Sequence, residues 1–200
     1  MSNILILTGY FALYAGLHSW LASLRVKDWA RRTFGASVEH VYRLTYNLFA
    51  AFTFLPYVFL MTALPDQRLY VLPLPWLVLV IAIQLGVLVL AGIALLQTDI
   101  LYFLGLTQLI RDEPPQTGEL ITKGFFRYMR HPIYTFSLIA MWITPVMTLN
   151  LFVTYALFTL YFLIGSIFEE QRLIGEFGDA YRNYQKRVPR LIPRWRKPGG

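Results

Sequence analysis

Apolar positions along this chain fall in long unbroken runs, each closed by charge or by proline, with little of the alternation that marks half-buried strands or amphipathic helices. A helix needs about 20 such residues to cross ~30 Å of hydrocarbon. Five runs meet or approach that length, at residues 4–24, 44–64, 74–96, 133–148 and 151–168. They predict an all-α polytopic membrane protein with five transmembrane helices. Pro56 predicts a kink in the second, and Gly86 and Gly92 in the third suit close helix packing. The fourth run is the shortest. Pro145 and Asn150 make its link to the fifth tight, so the last two runs predict an antiparallel hairpin whose outer ends return to one side. No segments of ~10 alternating residues favour a barrel, and no internal repeat favours an inverted-repeat transporter.

Composition supports the same class, since 56% hydrophobic and 14% charged residues lie outside the soluble globular range. The positions of the charges then fix an orientation. Of 18 Lys and Arg, five lie between the first two runs (Arg25, Lys27, Arg31, Arg32, Arg43) and four between the third and fourth (Arg111, Lys123, Arg127, Arg130). Eight more follow the fifth, leaving only Arg68 for the opposite side. The positive-inside rule therefore places both long loops and the C-terminus in the cytoplasm and the N-terminus outside. Met1-Ser2-Asn3 has no basic n-region, so the first run reads as a retained anchor. The net charge of +7 is used up by this topology, and its basic residues do not form a face with base-stacking aromatics, which excludes nucleic acid as the expected partner. The absence of cysteine excludes disulfides, thiolate metal sites and a cysteine nucleophile. His18, His40 and His131 lie far apart, with no metal-ligand spacing.

Nearly all polar content, and hence any chemistry, is expected on the cytoplasmic side. Between Gly118 and Tyr134 the chain brings Arg130, His131 and Tyr134 around Pro132, just before the fourth run. Pro132 suits the first helical turn, where a missing N–H costs nothing, and His131 then falls at the N-cap. Glu169 and Glu170 follow the fifth run directly, at the same boundary. Either element alone is ordinary, as a basic anchor or as the solvated start of a tail. Together they set two carboxylates beside a guanidinium and an imidazole at one membrane edge, where unmatched charge is expensive. His18, some 9 Å inside the edge of the first run, reads either as lining a cavity or as a neutral histidine bonded within the helix bundle. Asp99 reads as a boundary residue or a site residue. Tyr181 and Tyr184, set among Arg182, Lys186 and Arg187, fit a helix lying on anionic lipid.

Arg130-His131-Pro132-x-Tyr134, an apolar hairpin, then Glu169-Glu170 resembles the signature of the isoprenylcysteine carboxyl methyltransferase superfamily of integral-membrane methyltransferases, which includes phospholipid methyltransferase-like proteins. Phe177-Gly178-Asp179, Tyr181, Tyr184 and Arg190-Leu191-Ile192-Pro193 are similar to its C-terminal segment, so the resemblance covers about residues 120–193. Trp142-x-Thr144-Pro145-x-Met147-Thr148, with Phe103-Leu104-Gly105-Leu106-x-Gln108, resembles the methanethiol S-methyltransferase branch. His18-Ser19-Trp20-Leu21-Ala22-Ser23, with Tyr42-Arg43-Leu44-x-Tyr46-Asn47, resembles the NnrU-type branch.

The resemblance implies methyl transfer from S-adenosylmethionine to a small or hydrophobic acceptor, such as methanethiol or a prenylcysteine carboxylate. It implies a cytoplasm-facing site in a bacterial inner membrane, with lipid around it. Residues 97–200 become the methyltransferase core and residues 1–96 an acceptor-side scaffold. Glu170 with Glu169 would accept from the ribose hydroxyls or the amino group, and Arg130 with the amides around Pro132 would hold the carboxylate. His131 and Tyr134 would line the sulfur side, Leu120 and Gly124 the adenine pocket, and Tyr181 would fold over the cofactor. His131 is the expected base for a thiol acceptor. Two other readings stay open: a non-catalytic NnrU-type module or permease-like protein, and a b-type haem protein using His18 and His131.

Overall fold

A computed structural model describes residues 2–35, 37–98, 100–104, 106 and 119–193. Asp99, Gly105 and Gln108, singled out in the sequence, lie outside the described residues. Helices dominate: α1 (Ser2–Ala22), α2 (Leu24–Phe34), α3 (Val38–Ala63), α4 (Leu74–Leu96), α5 (Ile100–Leu104), α6 (Pro132–Trp142), α7 (Leu149–Phe177) and α8 (Asp179–Arg187), with a 3-10 turn at Gly124–Arg127. Two short strands, β1 (Arg68–Val71) and β2 (Val146–Thr148), pair with each other. Among the described residues, four helices are long and apolar enough to cross a membrane: Ser2–Ala22, His40–Ala63, Leu74–Leu96 and Leu149–Phe177. Large apolar side chains such as Phe52, Leu74 and Leu96 stand exposed on them, as expected where the solvent is lipid. The chain is a polytopic α-helical membrane protein.

Two compact units are formed, each from three stretches of chain, and α7 gives its first turns to one and its remainder to the other. In the first unit α1 and α3 run antiparallel. Asn3 Nδ2 donates to Pro65 O, Tyr10 Oη to Thr53 O, and Tyr42 Oη to Leu21 O, so the pairing holds along the length of both helices. α3 continues as helix through Pro56. The first run ends as helix at Ala22, because Ser23 takes an extended conformation and its hydroxyl accepts from Val26 N, starting the short amphipathic helix α2. His18 meets Tyr46 through Nε2 at 2.6 Å and lies against the Tyr14 ring, which matches the reading of a histidine bonded within the bundle.

Polar groups buried in a membrane bundle must find partners in protein, and Asn150 illustrates how. It is 1% exposed; its Nδ2 donates to Met61 O and Leu64 O, and its N–H to Asp66 Oδ1. One residue thus fastens the start of α7 to the end of α3. Nearby, Tyr57 and Thr154 join hydroxyls at 2.9 Å.

The second unit is built on α4, α6 and the later turns of α7. Here the structure departs from the expected fourth span at 133–148, for α6 is helical only to Trp142. Pro145 has no N–H to give and biases Thr144 toward an extended backbone, so the helix cannot pass. Residues 146–148 become β2 instead. Even so, the chain from Phe125 to Pro145 runs antiparallel along the whole of α4. Phe125 N donates to Gln97 Oε1 beyond one end of α4, Met129 and Phe136 pack on Ala94, Gln84 Nε2 donates to Ala140 O, and Leu72 N donates to Pro145 O beyond the other end. The predicted antiparallel pairing of the last two runs is present too: Trp142 Nε1 donates to Thr159 Oγ1, and the Tyr134 ring stacks on Phe162.

Replacing Asn150 with alanine should destabilise the protein by about 1–3 kcal/mol, since two buried carbonyls lose their donor. Thermal unfolding in detergent checks this as a fall of several degrees in apparent Tm, with Asn150→Asp failing to restore it.

Candidate active site

The turn before α6 and the charged end of α7 meet at one edge of the second unit. Gly124, in the left-handed region at φ 61, opens the 3-10 turn, and the Gln97 side chain fills the space where a Cβ would stand. Gln97 Oε1 then accepts from Phe125 N at 3.0 Å. His131 is the N-cap of α6 and Pro132 its first residue, as the sequence predicts. At the far end of α7, Gly178 at φ 57 breaks the helix and α8 folds back.

Glu170 is the centre of the site. It is 3% exposed and both its oxygens are filled. Oε1 accepts from Arg130 Nε at 2.9 Å, His131 Nε2 at 3.1 Å and Arg190 Nε at 3.2 Å, while Oε2 accepts from Gln185 Nε2 at 2.9 Å and Arg190 Nη2 at 3.1 Å. Arg130 also donates through Nη1 to Gln185 O and Val188 O. Glu169, one residue earlier, is placed differently. Its side chain is 35% exposed; Oε2 accepts from Tyr134 Oη at 2.8 Å and faces His131 Nδ1 at 3.4 Å. The His131, Tyr134 and Phe162 rings form a parallel stack, with centroid spacings of 5.3 and 4.9 Å.

The tail closes this arrangement through backbone as well as side chain. Arg130 N donates to Pro189 O, His131 N to Arg190 O, and Thr135 Oγ1 to Leu191 O. Tyr184 Oη donates to Phe126 O. Tyr181 and Tyr184 are buried, with Leu120, Leu173 and Phe177 packed around them. The expected lipid-facing tyrosines are therefore core residues. Their α8 is amphipathic, but its apolar face meets protein; burial pushes the Tyr184 phenol up to about 12 and the Tyr181 phenol higher still.

Thus Arg130, His131, Pro132, Tyr134, Glu169, Glu170 and Tyr181 are brought together, with Leu120 under Tyr181. Gly124 belongs to the supporting turn. His18 lies in the first unit. Two residues of the ionic cluster escaped the sequence reading as site members: Arg190, seen only as part of a tail motif, and Gln185. The available signal was that tail motif itself, lying within reach of a buried acid.

Both ring nitrogens of His131 face carboxylates, so its charged form is favoured. Burial opposes the charge, but hydrogen bonds to Glu169 and Glu170 outweigh it and raise the pKa above 6.5. His131 is thus clamped between the two acids, with Nδ1 toward Glu169 and Nε2 toward Glu170. Among the described residues no group of three or more His, Cys, Asp or Glu is arranged to hold a metal. At the rim stand a partly exposed guanidinium (Arg190, 38%) and a partly exposed carboxylate (Glu169, 35%), the latter accepting from Tyr134 of the aromatic stack. That donor set fits a zwitterionic ligand carrying both a carboxylate and an ammonium group.

The phospholipid methyltransferase family matches residues 81–180, the stretch that carries α6, α7 and the start of α8. The chain belongs to this family. It is 33% identical to methanethiol S-methyltransferase 1 of Bradyrhizobium diazoefficiens, over 93% of this chain and 65% of the relative. It is 34% identical to methanethiol S-methyltransferase of Pseudomonas deceptionensis, over 94% of this chain and 72% of the relative. A shorter match, 39% identical over 37% of this chain and 33% of the relative, joins it to protein-S-isoprenylcysteine O-methyltransferase of Schizosaccharomyces pombe. The chain thus spans about two thirds of the length of the first two. No solved structure matches it.

A group whose pKa rises on folding adds stability that is complete below its unfolded value, here about 6.5, and is lost as pH climbs through the raised folded value. Apparent Tm in detergent should therefore decline from pH 6.5 upward more steeply in wild type than in His131→Gln, which keeps a polar side chain but cannot titrate. Parallel curves would exclude the charged clamp.

Proposed function

We propose that this protein is an integral-membrane methyltransferase that takes its methyl group from S-adenosylmethionine and passes it to a small or hydrophobic acceptor, with a thiol such as methanethiol as the first choice. The cluster around Glu170 carries the reading: a cation-matched buried carboxylate, a partly open carboxylate and a half-exposed guanidinium gathered at the end of a hairpin in the stretch that matches the family. The names of the two long relatives favour methanethiol, and the shorter match favours a prenylcysteine carboxylate as the alternative.

When bound, the sulfonium donor supplies an electrophilic methyl group for in-line displacement. The chain's own residues do the rest. Arg130 and Arg190 bring positive charge for a carboxylate, Glu169 and Glu170 bring negative charge for hydroxyl or amino donors, and Pro132 starts α6 with His131 and Tyr134 facing the same acids. Leu120 and Tyr181 add an apolar wall against an aromatic base, and the buried surroundings keep water from the reacting atoms. Both His131 ring nitrogens face carboxylates, so taking a thiol proton there requires one of those contacts to open.

We place this site on the cytoplasmic side of a bacterial inner membrane, with the N-terminus outside and the C-terminus inside, on the distribution of Lys and Arg. The proposal retains five crossings. α6 and residues 143–148 count as the fourth, supported by the run of residues 125–145 along α4. Residues 97–200 form the methyl-transfer core and residues 1–96 the acceptor-side scaffold, with lipid around both.

Purified protein in detergent should bind S-adenosylhomocysteine with micromolar affinity by calorimetric titration, and should convert methanethiol and S-adenosylmethionine to dimethyl sulfide. Absence of binding by folded protein, with or without acceptor, sinks the methyltransferase reading and leaves a non-catalytic membrane module. Binding without methanethiol turnover moves the acceptor to a prenylcysteine.

A further inference from the structure

Two helices of this chain are short, basic and amphipathic, and burial separates them. In α8 the apolar face is covered, with Tyr181 and Tyr184 buried under neighbouring side chains. In α2 only a narrow stripe is covered. Val26 and Ala30, 7% and 4% exposed, form that stripe, and α2 packs on both α1 and α3. Successive residues of a helix turn by about 100°, which sets Trp29 about 60° to one side of Val26 and Phe34 about 40° to the far side of Ala30. Both flanking rings are open, at 59% and 65%, and they meet edge to face with centroids 6.0 Å apart. The arc opposite the stripe holds Arg25, Lys27, Arg31 and Arg32 against the single acid Asp28.

What covers this surface follows from where α2 is tied. Ser23 alone separates it from the end of α1, and its hydroxyl joins the two helices, donating to Trp20 O at 2.6 Å and accepting from Val26 N at 3.5 Å. At the other end Gly35, at φ 80, closes the last turn by donating from N to Arg31 O at 2.9 Å, and α3 opens at Val38. Both α1 and α3 are long and apolar enough to cross a membrane. A helix joined this closely to two crossing helices lies at the boundary of hydrocarbon and water. Tryptophan is favoured there, and Trp20, near the end of α1, is exposed as well.

From this placement we infer that α2 is an interfacial helix that binds anionic phospholipid: Trp29 and Phe34 enter the bilayer at headgroup level, and the basic arc takes the lipid phosphates. Guanidinium groups pair with phosphate oxygens through two N–H bonds, and basic clusters beside a span attract anionic over zwitterionic headgroups. A second copy of the chain, docked here about a two-fold axis, would set the arc against itself, like charge to like. The inference concerns the first unit alone and stands apart from methyl transfer.

The test reads Trp29 in the full chain, reconstituted in phosphatidylcholine bilayers. These carry an equal minor fraction of phosphatidylcholine or phosphatidylglycerol brominated near the headgroup end of the acyl chain. Bromine quenches tryptophan on contact, and the difference between wild type and Trp29→Phe isolates Trp29 from the other tryptophans. Both lipids should quench Trp29, the anionic one severalfold more strongly at low salt. That preference should fall toward parity at high salt, where exposed charges are screened within a few ångströms. Arg25→Gln/Arg32→Gln, which keeps Lys27, Arg31 and Arg43 in the same loop, should lose at least half of it at low salt. Should that variant not fold, the salt titration of wild type reads the same term. Equal quenching by the two lipids at low salt, or a preference that high salt leaves intact, overturns the assignment. Quenching of Trp29 by neither lipid overturns it too, and puts water or a second copy of the chain on this face.

Discussion

A carboxylate buried at the end of a membrane helix is tolerated only when its charge is matched and its lone pairs are filled. Glu170 meets that condition with two guanidinium groups, an imidazole and an amide. These partners come from separate stretches of the chain: the turn before α6, helix α8 and the segment after it. Satisfying one acid therefore specifies where three segments lie. Removing one partner of such a buried pair typically costs about 3–5 kcal/mol, most of it the penalty of the charge left behind, so the cluster is all or none. The backbone bonds from Arg130 and His131 to Pro189 and Arg190 follow from the same docking. The partly exposed Glu169 and Arg190 are then left in fixed positions at the rim.

Much of the fold was legible because hydrophobic length is a coarse, strong signal. Runs at 4–24, 44–64, 74–96 and 151–168 each correspond to a long helix, with ends displaced by a few residues where a cap decides them. Ser23 is such a case: it splits α2 from α1 although the apolar run reaches Leu24. The fourth run was misread as uniform helix because apolar composition does not distinguish a helix from an extended segment that is also apolar. Pro145 and the residue before it hold that information, and the pairing of β2 with β1 realises it.

The site was legible in part for a similar reason. Arg130, His131, Tyr134 and the two glutamates sit where a span meets charge, so cost alone draws them together. Arg190 and Gln185 lie in a basic, polar stretch that reads as a surface helix, and only the fold-back at Gly178 brings them to Glu170. Tyr181 and Tyr184 were read as lipid-facing for the same reason, since amphipathicity tells which face is apolar without telling what covers it. The asymmetry between Glu169 and Glu170 depends on which side of the helix each occupies relative to the tail, and two identical letters cannot carry that.

Hydrogen–deuterium exchange across residues 125–131 and 181–191, compared between wild type and Glu170→Gln in the same detergent, tests the central claim most directly. If the buried acid organises the site, protection falls in both segments together while that of α4 is retained. Unchanged protection in the tail, with Glu170 unable to hold its two arginines, would contradict it.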